Sequence, residues 1–141
     1  MSESAPFSQA QELSAAFVRL VETVASGIVA VHSSRSRSSG FFWRPGLIVT
    51  ADEALSEEGE IAITPPGGDP IAAQLVGRDH TTDVALLRVD CSDVTPLQLE
   101  SLPVAVGALA IAVGAEDGAP HTSGLSLCAA SLRSGTCRNQ S

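Results

Sequence analysis

Hydrophobic and polar positions keep two different rhythms along this chain. From Ser8 to Ala25 the apolar residues Leu13, Ala16, Phe17, Leu20, Val21 and Val24 recur at three- and four-residue steps, and Gly27 follows as a stop. That period predicts one amphipathic helix over 8–25, with residues 1–7 frayed ahead of it. From Ile28 onward the rhythm shortens to that of β-structure. Strands are predicted at Ile28–Ser33, Gly40–Trp43, Leu47–Ala51, Glu60–Thr64, Pro70–Val76 and Val84–Val89. Polar or glycine-rich stretches separate them: Ser33–Ser39, Arg44-Pro45-Gly46, Leu55–Gly59, Pro65–Asp69 and Gly77–Thr82. Six short strands in this spacing suit one small antiparallel barrel, and closure would remove its sheet edges. The helix is expected to lie against the outside of that barrel.

Beyond Asp90 the pattern weakens. Cys91-Ser92-Asp93 reads as a linker, followed by apolar clusters at Pro96–Leu99, Leu102–Gly107 and Ala108–Gly114. Leu125–Leu132 is compatible with one more strand, whereas Ser131–Ser141 has neither periodicity nor apolar content. At 141 residues, the chain is long enough for one domain with a core and short for two.

Composition narrows the function classes. The net charge is −8 and all eight basic residues are arginine, with no basic stripe and no aromatic–arginine platform, so nucleic acid is not an expected partner. The acidic residues form no long block, and their plain role is solubility. Cys91, Cys128 and Cys137 make no CxxC pair, and His32, His80 and His121 show no ligand spacing, so neither a metal nor another cofactor is expected. Incidental free thiols are the plain reading of the cysteines. No positively charged start leads into an apolar core, and no run is long enough to span a bilayer. A cytoplasmic location without membrane contact is the expectation.

One constellation carries a resemblance. Gly40-Phe41-Phe42, Pro45–Ala51, Leu75-Val76-Gly77-Arg78-Asp79 and Thr82–Val89 follow one another at spacings that resemble the first barrel of a trypsin-like serine protease of the HtrA (Deg) type. The resemblance implies a mainly β fold: one complete trypsin-like barrel, an incomplete second, and the helix in front. It implies a division into 1–27 (helix), 28–92 (first barrel) and 93–141 (linker and incomplete second barrel with an irregular tail). Ala108–Gly114 resembles the strand that opens the second barrel.

The family's chemistry is another matter. In the resembled pattern the strand ending Leu-Thr-x-x-His delivers the catalytic histidine, and here that place is held by Glu53. Asp83 matches the catalytic aspartate, and no Gly-Asn-Ser-Gly-Gly motif occurs. Serine proteolysis needs a hydroxyl, an imidazole to take its proton, a carboxylate to orient that imidazole, and backbone donors for the oxyanion. A carboxylate with an ordinary pKa near ~4 is a poor base for serine at neutral pH. Glu53 and Asp83 at one cleft can also be read as an acid–base pair. The plainer reading has Asp83 capping the loop before its strand, with Asp52 and Glu53 on a wet acidic rim.

Two functional expectations follow. The first is a degenerate, inactive HtrA-type homologue, either a pseudoprotease with a binding or scaffold role toward protein or peptide, or a truncated product. The alternative is a working serine-type endopeptidase of the family.

Overall fold

The computed structural model describes residues 4–34, 36–91, 93–116 and 119–121. A helix, α1 (Ser4–Ala25), precedes six strands: β1 (Ile28–Ser33), β2 (Ser36–Arg44), β3 (Leu47–Ala51), β4 (Ile61–Thr64), β5 (Ile71–Asp79) and β6 (Val84–Val89). They close into an antiparallel barrel in the order β1-β2-β3-β6-β5-β4. A short hairpin, β7 (Gly114–Glu116) with β8 (Ala119–His121), follows.

Alternation along the strands fills the barrel. Val29 and Val31 of β1, Phe42 of β2, Ile48 of β3, Ile63 of β4 and Ala85, Leu87 and Val89 of β6 form one buried cluster. The aliphatic content places valine, isoleucine and leucine here, with Phe42 the one aromatic in the cluster. Gly40 is fixed by packing: a Cβ there would stand 2.8 Å from Ile48 Cγ2 and 2.9 Å from the Val49 carbonyl oxygen. The β4–β5 connection turns at Pro66 and Gly67. Gly67 has φ 67° and the Gly68 amide donates to the Pro65 carbonyl at 3.1 Å, the chemistry of a type II turn.

Several sequence expectations shift. The serine- and arginine-rich stretch is not a loop: Ser36, Arg37, Ser38 and Ser39 pair with Ser33, His32, Val31 and Ala30 as part of β2. Main-chain ladder bonds need no apolar side chains, so a polar run can extend a hairpin. β5 likewise continues through Gly77 to Asp79, with its register interrupted between Leu75 and Gly77. Leu55 leaves the polar connection and enters the core cluster at 5% exposure. Its amide donates to the Asp52 carbonyl at 3.0 Å, a tight turn that swings the side chain over the barrel end.

The helix begins earlier than its periodicity suggests and does not lie along the barrel. Phe7, Leu13, Val18 and Leu20 are all at least half exposed. Among the described side chains of α1, Ala15, Phe17, Val21, Val24 and Ala25 are the partly covered ones. After β6 the chain crosses back over the outside: the Leu97 amide donates to the Phe42 carbonyl at 2.8 Å. β7 then lies over β1 and β2, where Ser39 Oγ accepts from the Ala115 amide at 2.9 Å. Ala108–Val113 has no strand, and the first strand after the barrel is β7. The expected strand Leu125–Leu132, the tail, Cys128 and Cys137 lie outside the described residues. Cys91 is a free, half-buried thiol beside the core.

Candidate acid–base site at the barrel rim

At one end of the barrel β3, β6 and β5 stand side by side, with Ala51 opposite Val84 and Val84 opposite Asp79. The residues that continue past these ends, Asp52 and Glu53, His80, and Asp83, are therefore gathered on one rim. Along the sequence, two strands, β4 and β5, and their connections lie between Glu53 and His80.

Asp83 and Glu53 do meet. The Glu53 amide donates to Asp83 Oδ1 at 2.8 Å, and the Asp52 amide donates to the Asp83 carbonyl at 3.3 Å. Asp83 is held at φ 56°, in the left-handed region, where a short polar side chain that bonds locally is better tolerated than most. Its carboxylate thus fastens the backbone of the neighbouring strand end, instead of capping its own loop. Both side chains are exposed. Among the described residues, the Glu53 carboxylate has no hydrogen-bond or ion-pair partner.

The loop before Asp83 is organised by Asp79. Its Oδ1 accepts from the Thr81 amide and its Oδ2 from the Thr82 hydroxyl, both at 2.9 Å. The Thr81 amide, then the Thr82 hydroxyl, hold the Asp79 carboxyl below its usual value of 3.8.

Asp52 overturns the expectation of a wet rim. It is 3% exposed and ion-paired: Arg78 Nε meets Oδ1 at 2.5 Å, and His80 Nδ1 meets Oδ2. Arg78 also reaches Glu57 at 3.6 Å. Burial pushes the Asp52 carboxyl up, but the hydrogen bond and charge of Arg78, together with those of His80, outweigh it. The group sits below its ordinary 3.8. Sequence reasoning missed this cluster. The charges are visible at 52, 78 and 80, but only the β3–β6–β5 register brings them to one place.

A groove along β4 and β5, lined by Glu57, Ile61, Ile71, Ala73 and Leu75 among others, lies apart from Glu53 and Asp83. Among the described residues no group of His, Cys, Asp and Glu can hold a metal ion. Nor is any helix there long and apolar enough to cross a membrane.

The trypsin-like peptidase domain family matches residues 38–140. This chain belongs to that family. It is 37% identical over 100 residues to a probable periplasmic serine endoprotease, DegP-like, of Halomonas elongata, covering 67% of this chain and 21% of that protein. A protein of the same description from Pseudomonas fluorescens is 32% identical over 91 residues, covering 63% and 19%. The chain therefore spans about a fifth of the length of these curated relatives. Among solved structures it is similar to the Rv3671c protease from M. tuberculosis in its active form, with TM-score 0.64, 23% identity, and 70% of this chain and 46% of that one covered. It is similar also to a serine endoprotease from Yersinia pestis, with TM-score 0.62, 24% identity, and 66% and 36% covered. At these identities the structural likeness establishes the fold. The curated relatives are described as periplasmic, so the expected cytoplasmic location finds no support among them.

Proposed function

We propose that this trypsin-like barrel performs no serine peptidase chemistry of its own and serves as a protein- or peptide-binding or scaffold unit of HtrA type. The observation that carries this reading is the Glu53–Asp83 contact. The carboxylate that matches the orienting aspartate receives a backbone amide at 2.8 Å, and the residue beside it is a glutamate, not a histidine. With no imidazole to orient, Asp83 has a structural task. The β4–β5 groove, where Ile61, Ile71, Ala73 and Leu75 stand with the polar Ser56, Glu57 and Glu60, favours an extended peptide as the bound species. A second reading, favoured by the description of the curated relatives as serine endoproteases, is that the chain contributes the first barrel to a working peptidase. Glu53 stands against it.

The deciding experiment is casein cleavage with fluorophosphonate labelling, on the wild type and on Glu53→His. Neither protein should cleave casein or take up the probe, because the restored imidazole has no activated serine to serve and triad members act as a unit. Labelling of the wild type at a defined serine would overturn the reading.

A further inference from the structure

The same rim contains a carboxylate–imidazole pair that does not involve the family's positions. We propose that His80, oriented by Asp52, is an acid–base group able to hydrolyse activated carboxylic esters at the barrel rim without a serine. Asp52 Oδ2 engages His80 Nδ1, which leaves Nε2 as the free ring nitrogen. The His80 side chain is 69% exposed and the Asp52 side chain 4%, so a buried carboxylate holds an imidazole whose other face is open to solution. With Nδ1–H donated to the carboxylate, the neutral ring presents the Nε2 lone pair outward.

The carboxylate is itself immobilised. Arg78 Nε occupies Oδ1, and Arg78 Nη2 bridges to the Asp52 carbonyl at 3.5 Å and to Glu57 at 3.6 Å. Each oxygen of Asp52 therefore has its own cationic or imidazole partner, which keeps it ionised and fixes its plane. His80 sits one residue beyond Asp79, whose two hydrogen bonds to Thr81 and Thr82 stiffen the loop that presents the ring. Orientation by a carboxylate is what separates a tuned histidine from a free one, and this chain supplies it at Asp52–His80 while withholding it at Glu53–Asp83.

The step balances without any further reactant than water. A water oxygen forms a bond to the ester carbonyl carbon as Nε2 takes one of its protons. The tetrahedral intermediate then expels the leaving oxygen: an alkoxide takes the proton back from the imidazolium, whereas a phenoxide leaves as the anion and the imidazolium returns its proton to water. Ester and water give acid and alcohol, and His80 ends neutral. No hydroxyl of the protein takes part, so this inference and the proposed absence of serine chemistry succeed or fail separately: the first reads ester turnover, the second reads fluorophosphonate labelling.

Two measurements on the full chain test it, with p-nitrophenyl acetate as the probe. Release of p-nitrophenol above the buffer rate should fall about a hundredfold or more in His80→Gln, the lower end of what general acid–base groups contribute. The same turnover should be unchanged in His32→Gln. A long-range proton–nitrogen spectrum of the wild type should show the neutral His80 ring protonated at Nδ1. Asp52→Asn, provided that circular dichroism shows it folded, should lose both that tautomer and the turnover. Equal turnover in wild type and His80→Gln would overturn the inference. So would a His80 ring protonated at Nε2, and that observation needs no variant to fold.

Discussion

Asp83 combines a left-handed backbone with a carboxylate that bonds the neighbouring strand end. Its φ of 56° places it where Cβ-bearing residues are strained, and its carboxylate compensates by accepting the Glu53 amide. Asp83→Ala and Asp83→Gly both remove that acceptor, but glycine also relieves the left-handed strain. The glycine variant should therefore be the more stable of the two by about 1 kcal/mol in urea titrations. Equal midpoints would mean that the backbone is not held in that region. Asp79, four residues earlier, reports on acid. Its folded pKa is depressed, so its contribution is complete above the ordinary value of 3.8 and is lost as pH falls through the lower folded value. Thermal melts at falling pH should show the wild type losing stability in that acid window. Asp79→Asn should start lower near neutrality and show a shallower acid slope, because Asp52 still contributes its own.

At the scale of elements, the strands are held by what crosses between them. Gly40 of β2 allows β2, β3 and β1 to approach closely: a Cβ there would come within 3.1 Å of Val31 Cγ2, besides the nearer Ile48 and Val49 atoms. One of those neighbours is backbone and cannot rotate away. Gly40→Ala should cost about 1–3 kcal/mol, the usual range for overpacking, read as a lower denaturation midpoint at unchanged slope. The register breaks in β2 and β5 place Trp43 and Val76 outward at 36% and 45% exposure. Trp43 there stacks under the Arg44 guanidinium at 4.5 Å, so its exposed ring has a partner.

For the whole molecule, the closed barrel and the segments flanking it contribute unequally. α1 buries little against the strands, and its apolar residues Phe7, Leu13, Val18 and Leu20 face solvent. Removing residues 1–25 should leave the barrel's melting temperature nearly unchanged, since the core cluster lies wholly within 29–89. A drop of many degrees would show that the helix covers the barrel in solution. The segment after the barrel differs again: Leu99, Leu102, Val104, Val106 and Leu109 are 50–76% exposed. The described residues leave this apolar run uncovered, in a chain that spans about a fifth of its curated relatives.

Local chemistry was readable wherever neighbouring residues decide the outcome. Alternation gave the strands of the barrel, Pro65-Pro66-Gly67-Gly68 gave its turn, and the Thr-Asp-Val-Ala-Leu-Leu run placed Asp83 at the head of a strand. The family resemblance implied Glu53 as the occupant of the base position. It could not show that Asp83 would spend its carboxylate on a backbone amide, because that bond spans thirty residues and depends on the register of β3 against β6. Nor could it show Asp52 as a buried partner of Arg78 and His80. Asp52 at the end of one strand, and Arg78 and His80 at the end of another, look solvated in a list of letters. They become a cluster only when barrel closure sets three strand ends level and removes water from the carboxylate between them.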